Sequence, residues 1–222
     1  MMLLTCVILT AITLTAQTKV SILGDSYSTY GGYVSPESNL CWYNGTDRKP
    51  GVDNDVDSVA QTWWYQLIEN NGMLLERNNS YSGSTVSTSG YRHEDYSDRA
   101  FIFRLGNLGN PDLIIVLSGT NDSWAKSPIG DFKYEGWTKE DLANFRPAFA
   151  YMMHNLKALY PNAKILNVVN SELSDDITSS QAKICELYGI TSIQLTDIDK
   201  QRGHPSQAGM KAIAEQIQPY LD

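Results

Sequence analysis

Residues 20–27, Val20-Ser21-Ile22-Leu23-Gly24-Asp25-Ser26-Tyr27, form an apolar run that stops on Gly-Asp-Ser. An apolar strand ending in a glycine and a small hydroxyl residue is how an α/β sheet presents a nucleophile at its carboxyl edge, so Ser26 is the first catalytic candidate. The tripeptide alone is also ordinary turn chemistry, and its weight comes from the rest of the chain. Asp112-Leu113-Ile114-Ile115-Val116-Leu117 reads as a central parallel strand, apolar on both faces. Residues 73–77, 164–169 and 190–195 read as three further strands. Helices are expected between them: 58–71, opened by Ser58 and closed by Asn71-Gly72; an amphipathic segment over 98–108; and a long helix to Tyr160 opened by a Thr138/Asp141 box. One from Ser174 to Tyr188-Gly189 and a closing helix over 206–221 complete the set. Strands alternating with helices imply a three-layer α/β/α sandwich around a five-stranded parallel sheet, with functional residues gathered at the strand carboxyl ends.

Three later stretches match that geometry: Asn79-Ser80-Tyr81-Ser82-Gly83-Ser84, Ser118-Gly119-Thr120-Asn121-Asp122 and Gly203-His204-Pro205-Ser206. Serine first, a glycine in a polar turn, an asparagine after a buried strand, then a histidine before the last helix: this order resembles the SGNH hydrolases, or GDSL esterases. The resemblance runs from about Lys19 to Tyr220. It implies the flavodoxin-like form of the sandwich, carboxylic ester hydrolysis through an acyl-serine, and no metal or cofactor. It also implies Ser26 as nucleophile and an oxyanion hole made of the backbone N–H groups of Ser26 and Gly83 and the side-chain amide of Asn121. His204 is the expected base, since His93 and His154 lie in polar or helical surroundings with no partner motif.

The family usually carries an aspartate three positions before the histidine, where this chain has Gln201. Asp199, five positions before His204, is the expected substitute if residues 200–203 bulge, for which Gly203 offers backbone freedom. Asp197 is the weaker choice. Otherwise Gln201 or a backbone carbonyl holds the ring and leaves a Ser-His dyad. Asp25 and Asp122 are expected to brace their turns rather than react.

A formal net charge of −8, with no Lys/Arg cluster, argues against a nucleic-acid or anionic-membrane partner. Residues 1–16 are apolar apart from threonines and a cysteine, and polar Gln17-Thr18-Lys19 follows at once. That is too short for a membrane span of about 20 residues and has the size of a signal-peptide core, although no positive charge precedes it. Export to the periplasm or beyond is the expectation, with residues 17–222 as a single domain. Cys41 and Cys185 would remain, with no pairing implied. The Gly-, Pro- and Asn-rich stretch after Ser26 reads as a long functional loop. Its Asp53, Asp55 and Asp57 alternate, yet they lack the glycine and terminal glutamate of a calcium loop. Five Trp and thirteen Tyr would suit stacking on sugar rings where exposed. The function the resemblance implies is a serine ester hydrolase, deacetylating glycans, as some members of the family do, or acting on small-molecule esters. The alternatives are a short-chain lipid or thioester acylhydrolase, and a catalytically weakened glycan-binding protein on the same fold.

Overall fold

The opening apolar run forms strand β1 (Lys19–Gly24) in a computed structural model that describes residues 16–45, 49 and 52–221. After a long loop the chain continues through α1 (Trp63–Asn70), β2 (Leu74–Asn78), α2 (Phe101–Arg104), β3 (Leu113–Ser118) and α3 (Thr120–Ala125). It then runs through α4 (Phe145–Leu159), β4 (Lys164–Val169), α5 (Asp175–Tyr188) and β5 (Thr191–Gln194). A hairpin, β6 (Lys200–Gln201) and β7 (His204–Pro205), leads into α6 (Gln207–Ile217). The first five strands make one parallel sheet in the order β2-β1-β3-β4-β5.

Every residue of β3 is buried, because both of its faces are covered. Leu113, Ile115 and Leu117 point into a core shared with Trp63 and Leu67 of α1 and Met210 and Ile213 of α6. Ile114 and Val116 point the other way, toward Phe149 and Met153 of α4 and Ile184 of α5. Those two cores are the two interfaces of a three-layer sandwich. From β1 the chain moves out to β2 and then back past β1 to β3, so the winding direction reverses beside β1. The crevice at the carboxyl ends of β1 and β3 is where such a sheet holds its ligand.

The structure departs from the sequence reading in four places. Residues 98–108 form only the single turn α2, since Arg104 turns inward and Gly106 discourages continuation. The Thr138/Asp141 box forms, with Thr138 N–H to Asp141 Oδ2 at 2.7 Å and Asp141 N–H to Thr138 Oγ1 at 3.3 Å. It opens only a 3₁₀ turn; extended Asn144 ends that turn and α4 starts afresh at Phe145. Residues 120–125, for which no helix is expected from the sequence, form α3. The β6–β7 hairpin was not foreseen: its turn residues Arg202 (φ 51°) and Gly203 (φ 76°) are both left-handed, as a type I′ turn requires. Cys41 and Cys185 are free thiols. Of residues 1–16, on which the export expectation rests, 1–15 lie outside the described residues. Among those described, no helix is long and apolar enough to cross a membrane.

Candidate active site

Gly24 ends β1 where a Cβ would come within 2.5 Å of Ser28 Oγ and 2.7 Å of Ser80 Oγ, so the close packing of these loops admits only glycine. Asp25 then caps a 3₁₀ turn over Ser26–Ser28, its Oδ1 accepting the Tyr27 N–H at 3.0 Å. The turn sets Ser26 at the switch-point crevice. Thr29 Oγ1 donates to the Ser26 carbonyl at 3.1 Å and accepts the Trp42 N–H at 2.9 Å, tying the long loop to the serine.

His204 arrives from the opposite end of the chain on the hairpin. Its Nε2 lies 2.9 Å from Ser26 Oγ and its Nδ1 lies 3.2 Å from the Arg202 carbonyl. A carbonyl can only accept, so Nδ1 carries the proton and Nε2 offers its lone pair to the serine hydroxyl. The hairpin is clamped by Tyr27 Oη donating to Gly203 O (2.7 Å), Tyr43 Oη to Pro205 O (2.8 Å) and Asn54 Nδ2 to Pro205 O (3.0 Å). Trp42 stacks flat on the imidazole, with centroids 3.7 Å apart and planes 8° apart, while Trp124 presents an edge at 5.9 Å.

The expectation for Asp199 is corrected here. Its carboxylate accepts a hydrogen bond from Ser206 Oγ and makes none with the ring of His204. The two-residue I′ turn keeps residues 200–205 tight, so the bulge that would have brought Asp199 to the ring does not form. Asp199 instead supports the start of α6, where Ser206 Oγ accepts the Gly209 N–H at 3.2 Å. Gln201 faces away as well, its Oε1 accepting the Asp55 N–H at 2.9 Å. Of the alternatives open in the sequence, the geometry takes the backbone carbonyl.

Gly83 and Asn121 lie on the neighbouring segments, and Arg104, Trp42 and Tyr91 around them were missed by the sequence reading. Gly83 is left-handed (φ 80°) with nothing within 4 Å of where a Cβ would sit; backbone conformation, and not crowding, calls for glycine. Among the described residues, neither the Ser26 nor the Gly83 backbone N–H meets an acceptor. Asn121, in the first turn of α3, donates from Nδ2 to the Ser84 carbonyl at 3.0 Å and accepts at Oδ1 from Tyr91 Oη at 2.9 Å. Arg104 stitches the loops together: Nη2 donates to Gly24 O (3.2 Å) and Ser84 Oγ (3.0 Å), Nη1 to Asn79 O, and Nε to Arg99 O (2.9 Å). Its signal was present, because Arg104 interrupts the apolar stripe Phe101, Leu105, Leu108. Trp42 and Tyr91 left none, lying in loops without periodicity.

Burial dominates the electrostatics. It pulls the Arg104 guanidinium down to about 9, against the pull of Asp25, and pushes the Asp25 carboxyl up to about 6 despite its bond to the Tyr27 N–H. Asp122 is pushed up to about 7, again by burial, although it accepts the N–H groups of Val86 (2.8 Å) and Ser87 (3.3 Å). Both carboxylates brace turns. No group of three or more His, Cys, Asp or Glu among the described residues is arranged to hold a metal ion.

Comparisons with known proteins place the chain in a family. The family model for GDSL-like lipase/acylhydrolase matches residues 18–221. The crystal structure of a candidate GDSL-like lipase from Bacteroides uniformis is 58% identical with a TM-score of 0.90, covering 92% of this chain and 95% of that one. A second, from Bacteroides ovatus, is 48% identical with a TM-score of 0.89, over 93% and 99%. An acetyl xylan esterase from Butyrivibrio proteoclasticus shares the fold at 19% identity and a TM-score of 0.57, over 96% of this chain and 65% of that one. A search of curated proteins finds no significant match. On the strength of the matched length and the two Bacteroides structures, this chain belongs to the GDSL-like lipase/acylhydrolase family.

Proposed function

We propose that the chain is a serine ester hydrolase that removes small acyl groups, acetyl above all, from glycans. The observation that carries this reading is the 2.9 Å contact between Ser26 Oγ and His204 Nε2, with Nδ1 held on the Arg202 carbonyl. In that tautomer His204 takes the serine proton as Oγ attacks the ester carbonyl. The oxygen of the tetrahedral intermediate then receives the Ser26 and Gly83 backbone N–H groups and the Asn121 amide, and the protonated imidazole returns its proton to the leaving alcohol. Water repeats the sequence on the acyl-Ser26 ester and frees the carboxylic acid. A carbonyl stabilises the imidazolium less than a carboxylate does, and the Trp42 face 3.7 Å from the ring adds a cation–π contribution of about 0.5–2 kcal/mol.

The glycan part of the proposal rests on Trp124, an indole 42% exposed beside His204, because an exposed aromatic next to the Ser-His pair suits stacking on a sugar ring. Secretion of the enzyme, through removal of the apolar segment 1–16, belongs to the same proposal. Hydrolysis of a chromogenic acetyl ester by the purified protein, compared with longer acyl chains and with Ser26→Ala, tests the reading. Turnover that falls to background in Ser26→Ala and declines with acyl length supports it. A parent protein no faster than Ser26→Ala that still binds glycans would establish the binding-protein alternative instead.

A further inference from the structure

Loop 89–95 carries two consecutive non-glycine residues in the left-handed region, Arg92 (φ 56°, ψ 26°) and His93 (φ 61°). Such backbone is uphill by about 1–3 kcal/mol per residue and persists only where its surroundings enforce it. Both side chains point into solvent, so their own contacts do not account for the conformation. What the loop does place is the preceding residue, Tyr91. Its ring packs against Tyr96 (6.4 Å, 50°), and its hydroxyl reaches Asn121 Oδ1 at 2.9 Å.

The loop is anchored at both ends. Gly90 N–H donates to Glu94 O at 2.8 Å, Ser89 bridges Asp95, and Ser127 Oγ donates to Ser89 O at 3.0 Å. A Cβ on Gly90 would strike the Tyr96 ring at 2.4 Å. The Tyr91 hydroxyl also stays protonated: burial, then the negative charge of Asp25, pushes it up to about 12. It is therefore a donor at neutral pH.

Resting on the hydrolytic reading above, we propose that Tyr91 is a positioning residue, which locks the Asn121 amide with its N–H end toward the oxyanion. The two ends of that amide look alike in shape but not in chemistry. With Oδ1 on the Tyr91 hydroxyl, Nδ2 must face the Ser84 carbonyl, where it spends one hydrogen at 3.0 Å and keeps the second for the substrate. A flipped amide would set Oδ1 against the Ser84 carbonyl and withdraw the donor. The Ser84 carbonyl alone biases the choice; Tyr91 adds the partner that fixes the other end. The strained backbone of Arg92 and His93 is the means of holding that hydroxyl in place.

Tyr91→Phe removes the hydroxyl and keeps the ring. Loss of one neutral hydrogen bond should lower kcat on an acetyl ester about 2- to 13-fold with KM unchanged. In an Asn121→Ala background the same substitution should change kcat no further, since Tyr91 acts only through that amide. Independently of turnover, the Asn121 side-chain amide resonances in a ¹⁵N-labelled Ser26→Ala protein should shift and exchange faster with water when Tyr91→Phe is added. Three results overturn the proposal: an unchanged kcat, an equal loss in both backgrounds, or amide resonances that stay where they were. A parent enzyme no faster than Ser26→Ala would defeat the hydrolytic reading, and the amide resonances would still decide the role of Tyr91.

Discussion

Replacing Asp199 by alanine separates two accounts of how His204 is held. The carboxylate accepts from Ser206 Oγ, and Ser206 Oγ in turn caps α6 at the Gly209 N–H. A hydrogen bond to a charged group contributes about 1.5–3 kcal/mol in protected settings, and a negative charge near a helix N-terminus about 0.3–1 kcal/mol. Asp199 is exposed, so solvent screening brings the sum to roughly 1–2 kcal/mol. For a domain of this size each kcal/mol moves Tm by about 2–4 °C, and the expected drop is roughly 2–8 °C. Turnover should change by less than about threefold, because the ring contacts run to Arg202 O and Ser26 Oγ. Loss of a carboxylate that orients a catalytic histidine costs about 10⁴-fold instead. Thermal melts and acetyl-ester kinetics on the same preparation decide the matter. A hundredfold loss of kcat at unchanged Tm would restore Asp199 as the orienting group and overturn the assignment to the Arg202 carbonyl.

Asn121→Ala should lower kcat about 100- to 1000-fold, the usual cost of an oxyanion donor. It should also lower stability by about 1–3 kcal/mol, since the Ser84 carbonyl loses its donor and the Tyr91 hydroxyl its acceptor; full turnover in a destabilised variant would reduce Asn121 to a brace. Stability should rise as pH falls from about 7 toward 4. Asp25 and Asp122 bind their protons more tightly folded than unfolded, so the folded state gains wherever the unfolded chain has already released them. Urea midpoints across that range measure the slope, and midpoints that fall with acidification would contradict the two shifts. Intact mass of the protein from its native host should show residues 1–16 missing, and a retained Met1 would contradict export.

The parts of this fold that could be read from sequence are those fixed locally. β3 announces itself because a strand covered on both faces must be apolar throughout, and α5 because Gly189 supplies the left-handed residue that ends it (φ 62°). Ser26 and His204 were legible through the order of motifs along the chain. Asp199 was chosen by counting positions back from His204, and counting fails when a turn intervenes. Arg202-Gly203 is a weak type I′ signal beside Asn-Gly or Asp-Gly, so the hairpin that fixes the ring left little trace. Tyr91 and Trp42 were illegible for a different reason. Their roles depend on the path of loops across the sheet edge, and nothing in a local pattern encodes a contact between residues 42 and 204 or 91 and 121.

Arg104 explains how two of the three polar loops at the site are held to each other. The segments 24–29, 79–84 and 118–122 are built from Gly, Ser, Asn, Asp and Thr with few apolar residues, so packing alone cannot fix their relative positions. A buried guanidinium can, because its rigid fork satisfies carbonyls and a hydroxyl from separate loops at once. Desolvating that charge costs several kcal/mol, and a well-packed apolar residue would often stabilise a fold as well. The apolar substitute, however, would leave the Gly24, Asn79 and Arg99 carbonyls without the donor that now ties them together. The nucleophile turn and the Gly83 turn are thereby held through one side chain, and displacing that side chain loosens both. Asp25 completes the arrangement: its charge offsets part of the cost of burying Arg104 while its Oδ1 holds the turn that begins at Ser26.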